Sequence, residues 1–355
     1  LLFTCFETFN GCNDAAIAQV YAGVRIIDEW QRQYIQDTDE ITSVSSPKPF
    51  VIEDELLHAF TRLELEAMTY RDFRAAKTRK ANGKWGQMAI DQMPKEFTSL
   101  AEARAYLSVV VRRGMAFGAW IESKAKANGS WALYLHNQDL VKQYSETEQD
   151  THRILAEYER WSQAFGSLWL LSRSEAGKSL FEGATALRLV FLMVVAWRKA
   201  VAKDGGAFCE QATQEPREIV TLARAFLNSA RSGHRASSSD FNFDMHIIVP
   251  LKSVGFVFRH RKLRRDAIDL LLDRPWREGL WDSWVVGKAM QWLADIEDEG
   301  LLGEDELDHI PKEHIVADVR FDHDDVGRTT TVSCLQPVWG MEGEFVSRHA
   351  VIPWL

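Results

Sequence analysis

Cysteine is scarce and scattered in this chain. Cys5, Cys12, Cys209 and Cys334 are its four, and no two stand in a C-x2-C pair. That spacing argues against a disulfide framework and against a structural zinc site. Unpaired thiols in a chain of 355 residues fit a reducing compartment, and each reads as a small buried apolar residue. Positive charge is also short: Lys plus Arg is 42 against 51 Asp plus Glu, a net charge of -9. A domain that grips phosphates through its own field is usually basic, so direct DNA contact is not expected of this segment. Long apolar runs are missing too. The most apolar, Leu189 to Trp197, lies between Arg188 and Arg198 and falls short of the roughly 20 residues of a membrane span. No G-x-S-x-G, H-E-x-x-H, G-x-x-x-x-G-K-[ST] or G-x-G-x-x-G occurs, so no enzyme class is indicated. Histidines 58, 152 and 246 fall within helical patterns as surface or satisfied interior residues. His309, His314 and His323 with Asp322, Asp324 and Asp325 make a zone that a metal could use, though a solvated hairpin tip explains it better.

What is present is helical periodicity. Apolar residues recur at helical spacing through most of the first 300 positions. Asn13 or Asp14 can cap a helix bearing Ile17, Val20, Tyr21, Val24 and Ile27. Residues 36–50, with Pro47 and Pro49, read as a loop. Ser99 and Glu102 have capping-box spacing ahead of a helix toward Trp120, and Ser145 to Glu148 repeats it. Glu182 to Val201 is apolar on most sides and reads as a central buried helix. Glu215 to Ala230 reads as helix, and Ser229 to Asp240 as a Ser-rich loop. Asp282 or Ser283 can cap a helix ending near Gly300. After Pro311 the period changes. Ile315–Phe321 and Arg328–Leu335 read as a hairpin with Gly327 supplying a positive φ, and Glu344–Ile352 as a third strand. The expected fold is all-α: a helical array, solenoid-like or bundled, with a short C-terminal β-hairpin or small sheet. The expected division is a helical domain over 1–310 and a β-rich element over 311–355 packed on it. No repeat of fixed period is found.

The most informative stretch is Phe256 to Trp284, FVFRHRKLRRDAIDLLLDRPWREGLWDSW, preceded by FNFDMHIIVPL at 241–251. It combines a basic helix start, an apolar helix, a proline stop, a Glu-Gly step and a Trp-Asp pair. The residues concerned are Pro250-Leu251, then Leu263, Arg264, Arg265, Ala267 and Ile268 within a Leu-Arg-Arg-x-Ala-Ile-x-Leu-Leu helix. Pro275, Glu278, Gly279, Trp281 and Asp282 follow in a Pro-x-x-Glu-Gly-x-Trp-Asp turn. This pattern resembles the regulatory (middle-homology) region of fungal Zn2Cys6, or binuclear zinc cluster, transcription factors. One departure is Phe258, where that family often has a cysteine. Leu1–Val24 is similar to a Leu-rich helix, turn and Ala-rich helix of the family, and Phe97 to Arg104 to its Phe-x-Ser-Leu-x-Glu-Ala-Arg helix start.

The resemblance implies a non-catalytic regulatory domain in the nucleus that restrains or licenses transcription activation through a small effector or a co-regulator. It implies no cofactor here. Zinc and DNA contact would belong to a Cys-rich cluster in a missing N-terminal part, and the start at Leu1 without Met, in a helical pattern, reads as the middle of a longer protein. A homodimer is compatible with it, and no membrane partner is expected. Two other readings stay open: an α-helical interaction scaffold unrelated to DNA binding, and an enzyme with a dispersed site.

Three residue-level expectations follow. The basic run Arg259, Arg261, Lys262, Arg264 and Arg265 is read as structural, pairing with Asp266, Asp269 and Asp273, over a DNA or nuclear-import patch. Pro275 to Asp282 is read as a fixed turn, with a regulatory switch as the alternative; Trp281 anchors it, Gly279 allows its backbone, and Glu278 pairs with an arginine of the basic run. Most of the 13 Trp are read as core, with a pocket lining as the alternative.

Overall fold

The computed structural model describes residues 1–34, 44–70, 86–127, 148–202, 214–232, 241–242, 246–258, 260–299, 301, 310–339, 341 and 344–355. Among them stand helices α1 (Leu2–Asn10), α2 (Asn13–Tyr34), α3 (Asp54–Tyr70), α4 (Gln87–Asp91), α5 (Leu100–Ala127), α6 (Glu148–Ser172), α7 (Phe181–Ala202), α8 (Gln214–Ser232), α9 (Ile248–Val257), α10 (Arg261–Asp273) and α11 (Ser283–Asp298). Six strands accompany them: β1 (Phe241–Asn242), β2 (Arg277–Glu278), β3 (Trp281–Asp282), β4 (Ala317–Asp324), β5 (Thr329–Pro337) and β6 (Phe345–Pro353). The chain is mostly helical with a small antiparallel sheet at its C-terminal end. Its contacts fall into two units, one of residues 1–124 and 149–191, the other of 125–148 and 192–355. The sheet therefore lies inside the second unit rather than forming one of its own.

In the first unit α1 ends at Gly11, whose φ of 79° lets Gly11 and Cys12 donate to Thr8 and Glu7 carbonyls. Helix α2 buries Ala16, Ile17, Val20 and Ile27, while Tyr21 and Val24 of the same stripe are half-buried. It meets α3 closely enough that a Cβ on Gly23 would lie 2.1 Å from the Phe60 ring. Asn13 begins α2 rather than capping it, and its amide donates to Tyr70 Oη at 2.7 Å. Ser99 does cap α5, accepting the Glu102 N–H at 3.2 Å. The box is not reciprocal, however: the Glu102 carboxylate takes the Thr98 N–H and hydroxyl instead. Helices α5 and α6 meet at Trp161, fully buried, whose indole donates to Ala103 O at 2.8 Å. Its ring stacks on Phe165 and Phe191 at centroid distances of 4.7 and 5.2 Å.

Helix α7 supplies residues to both units. The window Glu175–Lys199 is long and apolar enough to cross a membrane, with a hydropathy of 1.7. Its residues are 61% buried, which is what a core helix shows.

In the second unit α9 is buried on nearly every side, through Ile248, Val249, Leu251 and Val254. A Cβ on Gly255 would sit 2.2 Å from Met290 of α11, so the glycine sets how closely these helices pack. Strand β1 pairs parallel with β2, and β2 antiparallel with β3. The second sheet has the order β4-β5-β6, all antiparallel. Along β5, Thr330, Val332 and Cys334 alternate inward; Val332 packs on Val285 and Ala289 of α11, and Cys334 on Leu293 and Ile296. The hairpin between β4 and β5 corrects one expectation: the positive φ falls on Arg328, at 50°, and not on Gly327. Gly327 is needed for another reason. Asp324 Oδ1 accepts the Val326 and Gly327 N–H groups, and a Cβ on Gly327 would come within 2.4 Å of that carboxylate. Of the cysteines, Cys334 is buried, whereas Cys5 and Cys12 are only partly so; Cys209 lies outside the described residues, as do His309 and the Ser145–Thr147 part of the second capping pattern.

Candidate functional site

The signature residues all belong to the second unit and form one block built from α9, α10, the β2–β3 turn and α11. Helix α10 is amphipathic. Leu263, Ala267, Ile268 and Leu271 are buried, and Lys262, Arg265 and Asp269 face water. The helix ends at Asp273, and Pro275, which has no N–H to offer, prevents its continuation. The chain then reverses through a two-residue hairpin, Glu278 pairing with Trp281, and Gly279 sits at φ 53° where a side chain is strained. Trp281 is buried, with Lys252 Nζ 3.9 Å from its ring centroid. The same ammonium faces Phe256 and Phe321, at 5.8 and 5.3 Å.

Glu278 is buried, and its carboxylate takes up backbone amides. Its Oε2 accepts the backbone N–H groups of His246, Ile247 and Ile248, at 3.0, 2.9 and 2.9 Å. Those are the donors at the start of α9, whose N-cap Ile247 has no side-chain acceptor of its own. A carboxylate there satisfies orphan donors and meets the positive end of the helix dipole. Its other oxygen accepts the Trp276 indole N–H at 3.1 Å. Pro250 stands in the first turn of α9, where its missing N–H leaves nothing unsatisfied. Asp282 caps α11, accepting from Trp284 at 2.8 Å and Val285 at 3.2 Å. Burial pushes its carboxyl above the usual aspartate value, against the opposing pull of those amides and of Arg277 and Arg328.

Arg264 is buried and forms an ion pair with Glu297 of α11, which is fully buried. The second oxygen of Glu297 accepts the Val316 N–H at 3.0 Å, tying the helices to the segment that leads into β4. Arg264 is thus answered by a glutamate 33 residues away. Arg261 pairs with Asp298 at 3.3 Å. Asp266 finds Arg224 of α8 at 3.4 Å, on the surface. Arg259 and residues 243–245 lie outside the described residues. Phe258, at the position that departs from the family pattern, is buried against Ala196.

The block is bound by polar groups, and those polar groups are committed to its own backbone. A carboxylate with three amide donors, or one paired with a guanidinium, is held in position by them. Among the described residues no group of three or more His, Cys, Asp or Glu is spaced to hold a metal ion. His323 stacks on Phe321 and its Nδ1 meets Thr330 Oγ1 at 2.9 Å.

The first unit holds a small cleft of about 40 Å³ between α2, α3 and α5. Val24, Ile27 and Leu57 give it apolar wall, and Asp28, Gln31, His58 and Glu64 give it polar groups. Arg112 and Glu64 pair inside it at 2.9 Å. His58 Nε2 lies 2.6 Å from Val44 O. The sequence held no signal for this cleft, because its lining comes from three helices at spacings unrelated to any motif. No protein-family model, curated protein or solved structure matches the chain.

Proposed function

We propose that the chain is a regulatory domain of a fungal transcription factor of the binuclear zinc cluster family, acting on transcription activation through a bound effector or co-regulator. The observation that carries this reading is the 241–282 pattern, which resembles that family's regulatory region and whose described residues from 248 to 282 pack as one block. The supporting chemistry is consistent with it. The net charge of -9 suits a domain that leaves DNA contact to another part of the protein. Zinc, DNA and nuclear residence belong to the proposal for the whole protein, with zinc and DNA assigned to a Cys-rich cluster outside these 355 residues. No reaction is assigned to the chain.

A reporter assay tests this reading. The chain is fused to a heterologous DNA-binding domain, and output from the cognate promoter is compared with that domain alone. A change in output, up or down, is expected. Identical output from an equally expressed fusion would sink the proposal and favour the interaction scaffold.

A further inference from the structure

Arg173, on the turn from α6 into α7, is an exposed cation held by aromatic rings alone. Its Cζ lies over the Trp169 ring at 5.3 Å and over the Phe181 ring at 5.4 Å. Rings attract the charge but leave the guanidinium N–H groups to find oxygen acceptors elsewhere. Among the described residues no carboxylate or carbonyl takes them, and the Trp169 indole N–H is likewise without an acceptor. The turn that carries Arg173 is fixed. Ser174 N and Oγ both donate to Leu171 O, at 3.0 and 2.7 Å, and Gly177 N donates to Ser174 Oγ at 3.3 Å. A Cβ on Gly177 would fall 2.1 Å from Leu171 O, so the chain folds back on α6 without slack. A second guanidinium, that of Arg188 on α7, stands over the same indole at 5.9 Å. Beside them Leu170 is 72% exposed, and one turn earlier on α6 a Cβ on Gly166 would meet nothing within 4 Å.

We propose that this corner of the first unit is a docking site for an acidic, partly apolar peptide segment of another protein. Arg173 receives one of its carboxylates and Leu170 an adjacent apolar side chain. The donors are the first argument. Arg173 and the Trp169 indole offer N–H groups only, so the matching atoms are acceptors, and a carboxylate meets a guanidinium through two parallel bonds. Preorganisation is the second. The rings and the bonded turn hold the cation in place before anything binds, which lowers the entropy lost in the contact. Charge is the third. Residues 169–188 carry Arg173, Lys178 and Arg188 against Glu175 and Glu182, a local excess of one cation in a chain of net charge -9. That excess suits a segment with a few carboxylates. A nucleic acid or an anionic membrane needs a run of cations, and the rest of the chain repels it. Leu170 and the open space at Gly166 add the apolar requirement, because an exposed leucine gains when an apolar side chain covers it. The proposal does not depend on the transcriptional reading.

Fluorescence anisotropy on the 355-residue chain, with a labelled peptide of alternating Asp and Leu as the probe, tests this. Saturable binding below about 1 mM is expected, and much weaker binding of the same peptide with Asn in place of Asp. Arg173→Ala is expected to weaken binding about tenfold, as the loss of a hydrogen bond between charged groups does. Its melting temperature is expected to stay unchanged, because the side chain is exposed. Arg265→Ala removes the same charge from the second unit and is expected to leave binding as it was. Should Arg173→Ala misfold, Leu170→Asn carries the same test. A single-stranded oligonucleotide of equal charge is expected not to compete; if it displaces the peptide, the site takes polyanions and the proposal falls. A wild type that does not bind the Asp peptide, or that binds the Asn peptide as tightly, overturns it. So does an Arg173→Ala variant that binds like wild type or loses no more than Arg265→Ala.

Discussion

Buried charge serves different ends in the two units. In the first, Arg113 and Glu157 meet through two parallel bonds of 2.8 Å, so the pair joins helix α5 to helix α6. Arg153, one turn away on α6, shares the same carboxylate at 3.1 Å, and Gln87 accepts from Arg113. In the second unit the buried carboxylates reach irregular backbone. Glu278 holds the start of α9, and Glu297 holds Val316 while it neutralises Arg264. The lesson concerns what each region has to fasten. In the first unit the buried ion pair registers one helix on another, and the carboxylates that take backbone N–H groups, Glu102 and Asp54, are only partly buried. The second unit packs short helices against hairpins and a sheet, and its loose backbone donors need acceptors that carry full charge and sit out of water.

The contrast can be broken most decisively at Glu297. Its loss in Glu297→Ala leaves the Arg264 guanidinium buried without its partner and the Val316 N–H without an acceptor. The expected cost is about 3–5 kcal/mol, as for other buried pairs opened on one side. Arg113→Ala is expected to cost less, because Glu157 keeps Arg153, which is partly exposed. Urea unfolding of both variants settles the order, and an equal or larger loss for Arg113→Ala would remove the distinction drawn between the units.

Asp282 sharpens it through pH. Its folded-state pKa is raised by burial, so the ionised form is held at a cost. The stability linked to this group is complete below the unfolded aspartate value and declines as pH rises through the raised value. Asn also caps helices well, so Asp282→Asn keeps the N–H acceptor and drops the charge. The stability of the variant relative to wild type is expected to rise with pH across the carboxylate range and then level off. Thermal melts from about pH 3 to 7 read this, and a difference that falls with pH would contradict it.

The smallest effect is expected at Arg265. Its side chain is exposed, unlike that of its neighbour Arg264. Arg265→Glu should move stability by less than about 1 kcal/mol, as exposed charges do. Arg264→Glu should behave like Glu297→Ala. A large loss at Arg265 would mean that the outer face of α10 is also fastened, and an unchanged melt at Arg264 would revive a nucleic-acid role for the basic run.

Much of the fold was legible from one residue to the next. Helical stripes announced most helices, and the change of period after Pro311 announced the sheet, because amphipathicity is a local record of which face is buried. The Pro275 stop, the Gly279 backbone and the Asp282 cap were legible for the same reason, since each depends on a residue's own dihedrals or on amides two or three positions away. The cap partners at longer range were not. Nothing near Glu278 in sequence pointed to the three amides some 30 residues earlier that it accepts. Glu297 gave no sign of being the counter-charge of Arg264. Sequence alone determined most helices, the C-terminal strands and the Pro275–Asp282 turn, all of which close within a few residues. Tertiary structure alone decided which charge was buried beside which donor, because that depends on helices meeting across long loops and on the loss of water between them.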